Sequence, residues 1–158
     1  MRTAFLSLLF VVAVTATAQA RLGETPDQLV ARYGQLLSEA DQKAEGIKVA
    51  LAAVVFQKGG FEVDVTVVDG VSVQEVFKKV NGQPLTNGEV KILLNANSQG
   101  FGWEAPDKTQ DGGKLWKRDD SATALVSPDG SLTIKSRALA VKESVAKKEE
   151  KTPSLDGF

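Results

Sequence analysis

The chain is 158 residues long, carries 19 Lys and Arg against 20 Asp and Glu, and contains neither cysteine nor histidine. Without thiols there are no disulfides, thiolate metal sites or Cys nucleophiles; without imidazole there is no Ser-His pair, and zinc and copper lose their commonest ligand. A formal net charge of −1 sets up no strong field for nucleic acid or anionic lipid.

Met1-Arg2-Thr3, an apolar run from Ala4 to Val14, and Thr15-Ala16-Thr17-Ala18-Gln19-Ala20 are the three parts of a secretory signal with a small-x-small cleavage site. The run falls short of the ~20 apolar residues that a membrane span needs. Residues 1–20 are therefore expected to be a signal peptide cleaved after Ala20, placing the mature protein in the periplasm or outside the cell. Lacking a cysteine after the leader, it would be released without a lipid tether. No later segment is apolar enough to insert in a membrane. The roughly 138 residues that follow are enough for a domain with its own core.

Thr25-Pro26-Asp27-Gln28 opens a helix: Thr25 caps, Pro26 suits the first position and Gln28 completes a capping box. The apolar stripe is Leu29, Tyr33, Leu36 and Leu37. Gly34 costs about 1 kcal/mol relative to alanine, which ends the helix early, near Arg32–Gly34. Residues 38–46 read as loop. From Ile47 the pattern alternates through Val55, and after Gln57-Lys58-Gly59-Gly60 it alternates again from Phe61 to Val67, giving a strand, a glycine turn and a strand.

Segment 71–80 fits a helix stripe or a strand face, and Asp69-Gly70 decides for a hairpin strand. A three-residue loop, Val68-Asp69-Gly70, pairs Val67 with Val71, Val65 with Val73 and Phe61 with Phe77, gathering the apolar residues on one face with Glu75 the exception. A second helix starts at Thr86, with Glu89 reaching back and Leu85 stapling to Val90. Its stripe runs Val90, Leu93, Leu94, Asn97 and stops near Gly100. Residues 105–113 form a polar surface loop. Lys114–Arg118, Ala122–Ser127 and Ser131–Arg137 are three short strands, the last two joined by Ser127-Pro128-Asp129-Gly130, a turn sequence. Residues 142–158 are charged and read as a flexible tail.

Strands joined by tight turns run antiparallel, so the fold class is α+β: an antiparallel sheet with two short helices on one face, in the order α-β-β-β-α-β-β-β. One domain covers 21–141.

Several chemistries can be weighed. Ser144-Val145-Ala146-Lys147 has Ser-x-x-Lys spacing but no companion motif. Asp107-x-Thr109-x-Asp111-Gly112 resembles the start of a calcium loop whose twelfth position is Arg118, a cation where a glutamate belongs. Glu62 and Asp64 share a strand face opposite the apolar one. Glu75 points toward the core side, and exposure at the sheet rim is the expected reason. Trp103 and Trp116 flank the glycine-rich loop, with Lys117 and Arg118 beside the second. These four are the candidate binding residues, an aromatic and basic cluster of the kind that makes interaction surfaces. No motif for a cofactor, a metal, a phosphate or a nucleic acid stands out.

Arg21-Leu22-Gly23-Glu24-Thr25 with Arg32-Tyr33-Gly34, and Leu85–Asn97 followed by Trp103, resemble a group of small exported bacterial proteins opening with Arg-Leu-Gly-Glu-Thr and Arg-Tyr-Gly. The segment Thr25–Gly34 followed by Ile47–Phe77 is loosely similar to the SmpA/OmlA envelope lipoproteins and β-lactamase-inhibitor-type domains, although the anchoring cysteine of the lipoproteins is missing. The resemblance implies an exported α+β domain and no catalytic residue. The expected function is a non-enzymatic module that binds a protein or peptide. The rival is a carboxylate-dependent hydrolase of cell-wall or other polysaccharide, which needs two carboxyls within about 5–10 Å of each other in a cleft.

Overall fold

The computed structural model describes residues 22–42 and 51–139. The expected signal peptide at 1–20, Arg21, the start of the first expected strand at 47–50, Ser144-x-x-Lys147 and the expected tail at 142–158 lie outside them. Helix α1 (Pro26–Tyr33) leads into strands β1 (Leu36–Gln42), β2 (Leu51–Lys58), β3 (Phe61–Val68) and β4 (Val71–Lys79). Helix α2 (Asn87–Ala96) then leads into β5 (Asp107–Lys108), β6 (Lys114–Lys117), β7 (Thr123–Val126) and β8 (Leu132–Lys135), and a helical turn begins at 137. The eight strands make one antiparallel sheet in the order β1-β2-β3-β4-β8-β7-β6-β5. The expected α+β architecture is present, with one extra strand ahead of each expected trio.

Both helices start as their sequences dictate. Thr25 N donates to Gln28 Oε1 at 2.9 Å, and Thr86 N to Glu89 Oε2 at 2.7 Å while Glu89 N donates back to Thr86 Oγ1 at 3.3 Å. These bonds satisfy amides that a helix start otherwise leaves open. Helix α1 stops where Gly34 takes φ +91°, a left-handed conformation that glycine adopts without a Cβ penalty. Leu29 and Tyr33 from α1, with Val90 and Leu94 from α2, bury against Val54, Phe56, Val63, Val65, Phe77, Leu132 and Ile134 of the sheet. Removing this apolar area from water is the main force holding the helices down.

Strand β1 replaces the expected loop. Leu36 leaves the helix stripe, pairs with Phe56 and packs on the core, and a bulge follows it between Leu36 and Ser38. Its Ser-Glu-Ala-Asp-Gln continuation shows no alternation, yet an edge strand needs only one partner and tolerates polar residues.

The β3–β4 hairpin also differs in register from the expectation. Its turn has two residues, Asp69 (φ 53°) and Gly70 (φ 80°), which pairs Val68 with Val71 and Val67 with Ser72. The odd residue is absorbed one step along, as a bulge that brings Thr66 opposite Gln74, Val65 opposite Glu75 and Val63 opposite Phe77. Two left-handed residues match the strand twist better than a looser turn, and the bulge then restores the apolar face.

Every strand pairing except one joins sequence neighbours. The exception is β4 with β8, held by Gln74–Phe77 against Leu132–Lys135. The chain is thus a helix-plus-four-strand unit laid down twice, meeting at this central seam.

Candidate binding groove

A groove of about 240 Å³ opens between the end of α1 and the C-terminal half of α2, above β3 and β4. Phe77 and Val63, both 2% exposed or less, form its floor, and Tyr33, Phe61, Leu93 and Ala96 its walls. Ile92 stands on the rim 68% exposed. Lys58, the last residue of β2, lines the groove and donates from Nζ to the Arg32 carbonyl, placing positive charge beside an otherwise apolar surface. Sequence reasoning did not find this groove. Its one legible sign was Ile92, an apolar residue off the Val90–Leu93–Leu94 stripe.

A polar cluster lies behind the Tyr33 wall. Tyr33 is the last residue of α1, and its hydroxyl donates to Glu75 Oε2 at 3.2 Å. Glu75 is fully buried, so exposure at the rim is not the reason for its inward position. Strand β4 is central, and Glu75 lies between Val65 of β3 and Ile134 of β8. Burial pushes its carboxyl up to about 7, against the opposing pull of the Tyr33 hydrogen bond, the Arg32 charge and the Asn97 amide. Burial and the neighbouring Glu75 push the Tyr33 hydroxyl up as well. Asn97, the C-cap of α2, is itself fully buried and donates from Nδ2 to Leu93 O at 3.3 Å. Glu75 Oε1 and Asn97 Oδ1 are both buried with no hydrogen-bond partner.

The four sequence-chosen binding residues separate into two kinds. Trp103 and Arg118 form an isolated bridge, and the guanidinium lies 5.5 Å from the Trp103 ring and 5.6 Å from the Phe101 ring. Arg118 is 4% exposed. It grips Asp120 through Nε and Nη2 at 2.7 Å each, reaches Gln99 Oε1 at 3.3 Å and donates to the Asn97 carbonyl. Trp103 Nε1 donates to Leu94 O at 2.8 Å. Arg118 and Trp103 therefore fasten the end of α2 and turn their polar groups inward. Trp116 is partly buried against the core, and Lys117 is exposed with Asp107 3.3 Å away.

The carboxylates are similarly placed. Asp64 pairs with Lys78 at 2.7 Å on the face away from the helices, and the side chains acting on Glu75 are Tyr33, Arg32 and Asn97. Among the described residues there is no cluster of three or more acidic side chains that could hold a metal ion, and no helix long and apolar enough to cross a membrane.

Fold and site together define an α+β domain with a preformed apolar groove between its helices. Set against known protein families, curated proteins and solved structures, the chain matches none.

Proposed function

We propose that the protein is an exported, non-enzymatic binding module, and that its groove takes an apolar side chain of a peptide or protein segment with a carboxylate close by. The observation that carries this reading is the groove itself. An apolar floor and walls, the exposed Ile92 and a lining cation make a concave apolar site with few polar groups, the usual form of a recognition pocket. Its volume suits one or two side chains, and Lys58 supplies the complement for an acidic neighbour. The compartment rests on the leader at 1–20 and on the resemblance of the Arg-Leu-Gly-Glu-Thr opening to exported proteins. A polysaccharide hydrolase would need a second carboxyl across a cleft, and the side chains that act on the Glu75 carboxyl are Tyr33, Arg32 and Asn97.

The test starts from protein recovered from cell envelope or medium, whose first residue should be Arg21. That protein is panned against a displayed library of random peptides. Enriched peptides should share an apolar anchor with an acidic neighbour. Ile92→Asp should abolish capture, and Lys58→Glu should remove the acidic preference while keeping the anchor. Equal capture by I92D, or no enrichment at all, would refute the groove as the binding site.

A further inference from the structure

We infer that Glu75 is a neutral carboxylic acid in the folded protein, and that its proton fastens the C-terminal ends of both helices to the middle of the sheet. The geometry is specific. Tyr33 ends α1, Asn97 caps α2, and both bear on a carboxyl at the centre of β4.

The hydrogen-bond inventory favours the protonated form. The Tyr33 hydroxyl serves Oε2, and the Asn97 amide gives one N–H to Leu93 O while also drawing on the Glu75 carboxyl. That leaves Glu75 Oε1 and Asn97 Oδ1, two acceptors closed off from water and without a donor. An ionised carboxyl can only accept, so it would leave the deficit in place. A proton on Oε1 turns one of the two acceptors into a donor, and buried polar groups are costly until paired.

The nearest charge, on Arg32, pulls toward the ionised form, and burial outweighs it. From α1, Glu75 faces Tyr33 and Arg32, and the Arg32 guanidinium is already held by both Glu24 carboxylate oxygens. From the α2 side it faces Asn97, behind which Arg118 is held by Asp120. The strand neighbours Val65 and Ile134 are apolar. The carbonyl ends of two helices, each the negative pole of its dipole, add to the pressure against a carboxylate. The upward displacement of this carboxyl, to about 7, agrees with the donor count.

The consequence is a stability that falls with rising pH. Between the ordinary glutamate range and about pH 7 the unfolded chain has lost a proton that the folded chain keeps, so alkali favours unfolding. Two measurements on the full chain decide the matter. In a carbon-13 titration of the glutamate carboxyls, the Glu75 resonance should have its midpoint near neutrality. In urea unfolding, the equilibrium constant for unfolding should rise on the order of 100-fold between about pH 5 and pH 8, the linkage expected for a shift of two units or more. Glu75→Gln should be insensitive to this change and at pH 8 at least as stable as the parent, because its amide supplies the missing donor. A Glu75 midpoint in the ordinary range near 4.3, or a Gln variant less stable than the parent at pH 8, would overturn the inference. The titration is read on the parent protein and decides even if Glu75→Gln fails to fold.

Discussion

Arg118 shows how a residue type can be read correctly for its chemistry and wrongly for its direction. A cation next to tryptophans is a fair sign of an exposed contact surface, yet here the open carbonyl of Asn97, Gln99 and the Asp120 fork take every part of the guanidinium. Cations suit the negative end of a helix, and Arg118 supplies one for α2, which has no basic residue in its own last turn. Replacing it by alanine removes the partner of Asp120 and exposes two aromatic faces. Asp120 is itself part-exposed, so the loss is chiefly that of hydrogen bonds to a charged group, about 2 kcal/mol, and chemical denaturation of Arg118→Ala should show a loss of that order. Lysine in its place should recover only part of it, because the fork to Asp120 needs a planar donor. The sequence signalled that Trp103 and Arg118 mattered. It could not show them turned inward, because Gln99 and Asn97 lie about twenty residues away and come near only once α2 ends where it does.

Two short stretches, Leu22–Thr25 and Arg32–Gly34, act as one structural device. Leu22 is buried, Gly23 N donates to Ser72 O at 2.7 Å, and Ser72 N donates to Glu24 O at 2.8 Å. Glu24 then binds Arg32, while Tyr33 reaches Glu75 and Gly34 ends the helix. The segment thus lies along β4 beside its bulge and clamps α1 to the sheet. Short-range features of this fold were legible because their physics is local: both capping boxes, the Asp-Gly turn and strands β3, β4, β6, β7 and β8 follow from neighbours in the chain. Strand β1, the two-residue β5 and the bulge at Val73 were not, since all three depend on which partner lies alongside. The capping box of α2 gives a direct check. Thr86→Ala frees the Glu89 amide and should lower stability by about 1 kcal/mol, measured by thermal unfolding, with the native spectrum retained.

For the molecule as a whole, the arrangement of pairings matters more than any one contact. Six strand junctions build two meanders of immediate neighbours, and β4 with β8 is the one strand pairing that joins them, placing Phe77 opposite Leu132 and Glu75 opposite Ile134. Contacts between near neighbours close cheaply, whereas distant ones wait on the entropy of a long loop. Each meander can therefore organise early, with the seam zipping last. Leu132 and Ile134, both fully buried, should contribute little at the rate-limiting step of assembly and much to holding the finished state together. In stopped-flow measurements Leu132→Ala should hasten unfolding while leaving the refolding rate nearly unchanged; a proportionate slowing of refolding would place the seam in the nucleus instead. The lifetime of the native protein is then governed by a four-residue zipper at its centre, so the surest way to lengthen that lifetime is to tighten the zipper and leave both meanders alone.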